Sequence, residues 1–292
     1  MSNEQLKITE SPRDAQQGLP FTIPVETRAA YINELMLAGF DVIDFGSFVS
    51  TKAVPQMAHS DEVLKLIDKS KSATQLLAIV GNTRGAEEAC TSAQLDIIGF
   101  PYSISNTFLE RNINSSIAKV DETAAAIGKI CSNQQKAYRV FVSMAFGNPY
   151  GDSWNIALVK DCVEKLASSG VQTITLSDTI GLATATSIRE IFETLMPLYP
   201  GIEIGLHIHT QQHNWREKID AAWKAGCRSY DGVINGIGGC PMTGYELLGN
   251  LNTLDLLSYL EEEHIAHHLD EALIKDIAFR YGTFSNNDNH SI

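Results

Sequence analysis

Two imidazoles stand two residues apart in Gly205-Leu206-His207-Ile208-His209-Thr210, at the end of an alternating apolar run. In a β-strand, residues i and i+2 project from the same face, so His207 and His209 lie side by side if this stretch is extended. Two neutral imidazoles aimed at one point are half of a divalent-metal site. The same pattern arises when one histidine caps a strand and the other is a satisfied core group. Its meaning therefore depends on where the strand falls in the fold.

The elements around it are regular. Short apolar, β-rich runs occur at 6–11, 41–48, 75–81, 95–100, 138–146, 173–178, 202–209 and 229–235. Between them lie segments with apolar spacing near 3.6 residues, at 25–38, 61–69, 85–93, 116–131, 155–167, 186–198, 215–224 and 247–260. Several of these are stopped by glycine, as at Gly39, Gly170 and Gly226. Runs such as Leu76-Leu77-Ala78-Ile79-Val80 are continuously apolar, which is expected of a parallel strand covered on both faces. Eight βα units predict a (β/α)8 TIM barrel. The competing fold, a doubly wound open sheet, lacks its G-x-G-x-x-G after the first strand. The expected organisation is one domain over 1–284, with the barrel over about 6–260, a short extra C-terminal helix near 268–282, and a frayed tail at 285–292.

Composition narrows the function classes. Asp and Glu number 35 against 22 Lys and Arg, a net charge of −13, which argues against a nucleic-acid or anionic-membrane surface. The five cysteines (Cys90, Cys131, Cys162, Cys227, Cys240) are odd in number, irregularly spaced and without C-x-x-C. They fit reduced thiols better than a disulfide framework or a zinc ribbon. The first residues show no basic region followed by an apolar one, and there is no apolar run of 18 residues, so the expectation is a soluble, cytoplasmic protein.

A barrel of this kind gathers its chemistry at the C-terminal ends of the strands. Polar residues collect there: Ser11-Pro12-Arg13-Asp14, then Asp44 and Ser47, then Ser177-Asp178-Thr179, then His207 and His209, then Asn235 through Cys240. Each has a plainer reading as a strand-end cap or turn residue. Their convergence on one rim is what points to a site.

The run Ser11-Pro12-Arg13-Asp14-x-x-Gln17 is followed by Ser47-Phe48-Val49-Ser50-x-Lys52-x-Val54-Pro55-Gln56-Met57 and by Ser177-Asp178-Thr179-Ile180-Gly181. Then come His207-x-His209, Gly238-Gly239-Cys240-Pro241 and Gly249-Asn250-Leu251. In that order these motifs resemble the 3-hydroxy-3-methylglutaryl-CoA lyase family, metal-dependent lyases of a superfamily that also contains Claisen-condensing enzymes. The resemblance implies a lyase that cleaves a 3-hydroxy acyl-CoA, commonly as a homodimer, with Mg2+ or Mn2+ as cofactor. Beside it, the residue types read consistently. Asp14, His207, His209 and the side-chain carbonyl of Asn250 supply two oxygens and two nitrogens, leaving two positions on an octahedral divalent ion. The residues do not separate Mg2+ from Mn2+.

Splitting a 3-hydroxy acyl thioester requires loss of the hydroxyl proton, positive charge where an enolate builds, and a proton for the departing enolate carbon. Arg13 is permanently cationic and suits the enolate oxygen, unless it is spent in an ion pair with Asp14 or Asp44. Asp178 is a candidate base, or a carboxylate that orients the hydroxyl, unless it caps the following turn. Cys240, in a glycine-rich segment, is the candidate proton donor to the enolate carbon. The resemblance further implies substrate-binding roles for Gln17, Asp44, Ser47, Asn148 and Thr179.

The chain departs from the family pattern at several points. Ala15 stands where Gly is usual, Asp44 where Glu is usual, and Thr210 follows His-x-His where Asp is usual. The stretch 242–248 is bulkier than the usual loop of small residues. These changes leave the acyl group open, and His213 is a candidate to replace the missing acceptor behind the imidazoles. Two other readings compete: a condensing synthase or aldolase of the same superfamily, and a metabolite-binding barrel without catalysis.

Overall fold

In the computed structural model, which describes residues 5–238 and 249–282, all eight apolar runs form parallel strands. They are β1 (Lys7–Glu10), β2 (Val42–Phe48), β3 (Gln75–Val80), β4 (Ile97–Ser103), β5 (Ala137–Ser143), β6 (Thr173–Asp178), β7 (Glu203–Ile208) and β8 (Ser229–Gly232). The order around the sheet follows the sequence, and β8 pairs back onto β1 from Lys7↔Ser229 to Glu10↔Gly232, closing the barrel. The fold is the (β/α)8 TIM barrel that the alternation predicts.

The continuous apolar runs are explained by the two surfaces each strand serves. Leu76, Ala78, Ile98, Val140 and Val142 belong to the large core beneath the outer helices. Their neighbours Leu77, Ile79, Ile97 and Phe141 form a separate cluster inside the barrel with Val42. Alternate side chains thus bury in different places, and neither face needs to be polar.

Outer helices α2 (Val25–Leu37), α3 (Ser60–Leu66), α4 (Thr83–Cys90), α6 (Ile117–Asn133), α7 (Ile156–Ser168), α8 (Ala185–Leu195), α9 (Trp215–Lys224) and α10 (Thr253–Glu262) fall where the 3.6 spacing puts them, except that α10 begins at Thr253 instead of 247, because Asn250 and Asn252 pair as bridges with His209 and Val233. Asparagine or serine side chains cap several of them, Asn82 on α4 and Asn155 on α7 among them. The C-terminal helix α11 (Glu271–Arg280) packs back beside α2, where Asp270 N–H donates to Ala38 O and Arg280 pairs with Glu34.

The strand ends differ from the sequence-based boundaries where the backbone turns sharply. β5 stops at Ser143 instead of reaching 146, because Met144 adopts a φ of 61° that no strand accommodates. β8 stops at Gly232 and passes into a single turn at Ile234–Gly236, with Asn235 at φ 65°. Two helices have no counterpart in the sequence-based reading: α1 (Pro12–Gln17) and α5 (Asn106–Ile113). A helix of six residues is too short to show a period, and its one signal is Pro12 at the first helical position. Cys240, the 242–248 stretch and the 285–292 tail lie outside the described residues.

Candidate active site

The site is built on α1, directly after β1. Helical spacing brings Arg13, Asp14 and Gln17 onto neighbouring positions. Arg13 Nη1 donates to Asp14 Oδ1 at 2.8 Å and to Gln17 Oε1 at 3.1 Å, and Gln17 Nε2 donates to Asp14 Oδ1 at 2.7 Å. On its other side Arg13 forks onto Asp44, with Nη2 to Oδ2 at 2.5 Å and Nε at 3.1 Å from the same oxygen. A register shift between Asp44 and Gly46 turns both Asp44 and Ser47 toward the barrel interior. Arg13 is therefore ion-paired with both carboxylates, and the pairing fixes it at the rim. Burial pushes the Asp14 carboxyl up, but the Arg13 guanidinium and the two imidazoles more than reverse this and hold it below the ordinary carboxylate value. At Asp44, burial and the Asp14 and Asp231 carboxylates outweigh Arg13, and its carboxyl is raised.

β7 delivers the imidazoles as the spacing predicts. Their ring centres are 5.9 Å apart, edge to face, and His207 Nε2 is 3.9 Å from Asp14 Oδ2. Each Nδ1 has its own acceptor. His207 Nδ1 lies 3.3 Å from Asp231 Oδ2, and His209 Nδ1 lies 3.3 Å from the Gly249 carbonyl. With the Nδ1 protons so engaged, both Nε2 lone pairs are left for another partner. Burial lowers the His207 pKa, yet the Asp231 and Asp14 carboxylates carry it above the ordinary value. Burial, with His207 next to it, takes His209 down to about 4.

Asn250 is brought in by backbone pairing. Leu251 N–H donates to Ile208 O, and Thr210 N–H to Gly249 O, so Asn250 bridges to His209 at the end of β7. Its Nδ2 donates to Asp14 Oδ2 at 2.9 Å and to Ile237 O at 3.0 Å. Its Oδ1 is buried and accepts from no group among the described residues. A buried amide oxygen without a donor is costly, and a cation is the kind of partner it lacks. Gly238 closes the packing: at φ 95°, a Cβ there would come within 2.8 Å of Asp14 O and 2.9 Å of Ala15 Cα. Only glycine fits this approach.

Among the described residues no three His, Cys, Asp or Glu side chains already converge as a metal cluster. Asp14 is turned partly toward Arg13 and Gln17, and the fourth member of the set is an amide. The donor chemistry nevertheless fits a divalent ion: a depressed carboxylate, two imidazoles with Nδ1 occupied, and an orphaned amide oxygen.

The other sequence-based candidates separate. Asp178 pairs in register with Ile208, whereas Ser177 pairs with His207, so Asp178 takes the outward face and Ser177 the inward one. Asp178 is 1% exposed and meets Lys218 Nζ at 3.5 Å, and it accepts backbone N–H groups from Leu182 and Ala183. Burial raises its carboxyl and Lys218 works against that. Thr179 Oγ1 accepts Met144 N–H and thereby holds the sharp turn after β5. Asn148 spends its side chain on its own loop, accepting from Tyr150 N–H and Asp152 N–H. Ser47 Oγ is buried with no hydrogen-bond partner among the described residues. His213 is exposed and does not stand behind the imidazoles. Asp231 and the Gly249 carbonyl fill that role instead.

A profile of the HMGL-like family matches residues 5–279. The chain belongs to the HMGL-like family. Among HMGL-like proteins it is 32% identical to the hydroxymethylglutaryl-CoA lyase of Bacillus subtilis over 257 residues, which are 87% of this chain and 84% of that one. It is 29% identical to the (R)-citramalyl-CoA lyase of Chloroflexus aurantiacus, over 86% of this chain and 81% of that one. The HMG-CoA lyase of Acinetobacter baumannii, solved with coenzyme A and 3-methylmalate, superposes with a TM-score of 0.87 at 26% identity, covering 99% of this chain and 98% of its own.

The sequence-based reading missed three charged residues of the site. These are Arg139 on β5, Asp231 on β8 and Lys218 on α9, all buried. A signal existed for the first two: an ionisable group inside a strand of a closed barrel must find an opposite charge or give up its own.

Proposed function

We propose that this HMGL-like chain is a divalent-metal-dependent lyase that splits a carbon–carbon bond of a 3-hydroxy acyl-CoA. 3-Hydroxy-3-methylglutaryl-CoA, giving acetoacetate and acetyl-CoA, is the first candidate. The observation that carries the reading is the pair of imidazoles whose Nδ1 atoms are both engaged, beside Asp14 and the orphaned Asn250 oxygen. Asp14, His207, His209 and Asn250 would hold Mg2+ or Mn2+. Bound there, the ion supplies positive charge that acidifies the substrate hydroxyl and polarises its oxygens.

The chain's own residues account for the rest. The acidified hydroxyl gives its proton to solvent; as the carbon–carbon bond breaks, its carbon becomes a ketone and the electron pair moves onto the thioester, whose oxygen gains charge. Arg13, whose Nη1, Nη2 and Nε already engage Asp14, Gln17 and Asp44, would turn a donor from one of these partners to that oxygen. Cys240 then gives the enolate carbon its proton. Asp178, outward-facing and engaged by Lys218 and two backbone N–H groups, fits a cap of the following turn better than either substrate role. Ser47 and Gln17 would line the substrate path, with Thr179 and Asn148 shaping the loop beyond β5. Cytoplasmic location and a homodimer belong to the same proposal. Among the described residues no helix is long and apolar enough to cross a membrane.

Asp44 and Thr210 support a second acyl group, such as the citramalyl-CoA of the Chloroflexus relative, because both alter the surroundings of Arg13 and the imidazoles. Incubation of the purified protein with Mn2+ and each thioester tests both readings. Release of acetyl-CoA is expected, and the oxo acid formed alongside it identifies the acyl group. Cys240→Ala should cut turnover while leaving Mn2+ binding unchanged. Consumption of acetyl-CoA with a 2-oxo acid would instead establish a condensing enzyme, and ligand binding without turnover a non-catalytic barrel.

A further inference from the structure

Beneath the imidazoles, a buried guanidinium crosses the interior of the barrel. Arg139 enters from β5 at 2% exposure. Its Nε donates to Thr175 Oγ1 at 2.7 Å, its Nη1 to Thr9 Oγ1 at 2.9 Å, and its Nη2 to Asp231 Oδ1 at 2.5 Å. The other oxygen of Asp231, Oδ2, faces His207 Nδ1 at 3.3 Å. Strands β1, β5, β6, β7 and β8 thus each contribute one member of a single polar chain that ends on an imidazole.

We infer that Arg139 and Asp231 are positioning residues that fix which nitrogen of His207 carries the proton. The inference rests on the proposed metal site and deepens it. A guanidinium has donors only, so whatever atom faces Arg139 must accept. Its two threonine anchors keep it from turning away. Asp231 satisfies this with Oδ1, and Oδ2 is then presented to His207, where a carboxylate oxygen can only accept from neutral imidazole. The proton is held on Nδ1, and Nε2 keeps its lone pair toward Asp14. The tautomer of His207 is decided by a residue on the far side of the barrel interior that never approaches the substrate.

The isosteric variant Asp231→Asn should reverse this arrangement. Its side chain has one acceptor and one donor group, and Arg139 claims the acceptor. The amide NH2 must then face His207 Nδ1, which becomes the acceptor, and the imidazole proton moves to Nε2. A protonated Nε2 cannot ligate a cation. Replacing Arg139 by Met in the same chain removes the claim, so the amide can rotate, accept from Nδ1–H and restore the original tautomer. The double variant also carries no buried charge at either position, so it keeps the test open where a single variant folds poorly.

The measurement is nitrogen-15 NMR of the imidazoles at alkaline pH, with Mn2+ affinity by calorimetry as a second readout. His207 should be protonated on Nδ1 in the wild type, on Nε2 in Asp231→Asn, and on Nδ1 again in Asp231→Asn/Arg139→Met. Mn2+ affinity should fall ten- to a hundredfold in the single variant and recover at least in part in the double. A purely structural role predicts the opposite order, the double variant being no better than the single. An unchanged tautomer in Asp231→Asn, or a double variant that stays on Nε2, would overturn the inference. Wild-type protein with the expected tautomer but no affinity for Mn2+ would support it while removing the metal from the proposed function.

Discussion

The interior of this barrel has two unlike halves. Along β2, β3, β4 and the middle of β5 it is lined by Val42, Leu77, Ile79, Ile97 and Phe141, all packed on one another. Along β1, β5, β6, β7 and β8 it carries Thr9, Arg139, Thr175, His207 and Asp231, joined by hydrogen bonds. The apolar half is held by shape and the polar half by pairing of charges. A substitution in the first should therefore cost stability and spare the chemistry. In the second, a substitution of equal size should cost chemistry first.

The largest contrast is expected at Arg13, on the polar side. Arg13→Met removes the group proposed to meet the developing thioester oxygen, and loss of one such donor lowers kcat by about 10²- to 10³-fold. The variant also leaves Asp14 and Asp44 facing each other without their shared counter-ion, so its Mn2+ affinity should be measured in parallel. A kcat within tenfold of wild type would show that Arg13 serves only to pair the carboxylates.

Gly99 breaks the comparison from the other side. A Cβ there would stand 2.7 Å from Ile79 Cδ1, 3.0 Å from Leu77 Cδ2 and 3.2 Å from Phe141 Cε2, so Gly99→Ala overpacks the apolar half. Overpacking of this kind costs about 1–3 kcal/mol. The expected result is a lower melting temperature with Mn2+ affinity within twofold of wild type. A variant with normal stability and impaired metal binding would mean that the halves are mechanically coupled.

The same division marks what could be read before the structure. His207 and His209 were legible because a strand's two-residue period is a local property, and the eight apolar runs were legible because both strand faces are buried. The hexapeptide helix α1 was not, since Arg13, Asp14 and Gln17 span less than two turns and show no period. Asp178 illustrates a subtler limit. Its position at a strand end was correct, but whether it faces the interior depends on register with Ile208, thirty residues away. Asp231 was missed although its place in a buried strand demanded a cation. The partner, Arg139, is 92 residues distant, and no spacing rule connects them.

A buried carboxyl without a cation gives the sharpest form of the comparison. Asp231 and Glu10 are both essentially inaccessible. Asp231 faces inward to Arg139, which overcomes the cost of burial and lowers its carboxyl below the usual range. Glu10 has only neutral donors, Ile234 N–H at 2.7 Å and Thr253 Oγ1 at 2.6 Å, and burial raises it to about 8. Below pH 4.5 Glu10 is protonated in both the folded and the unfolded chain, and its contribution to stability is complete. As pH climbs from there toward 8, the unfolded chain releases a proton that the folded one keeps, so stability falls by up to about 1.4 kcal/mol per pH unit. Glu10→Gln keeps an acceptor for Ile234 N–H and cannot ionise. Its melting temperature should gain on wild type steadily between pH 5 and 8, because every other titrating group is common to both chains. Two curves that run parallel over that range would mean that Glu10 is ionised in the folded barrel, and that hydrogen bonds from an amide and a hydroxyl can stabilise a buried charge as Arg139 does for Asp231.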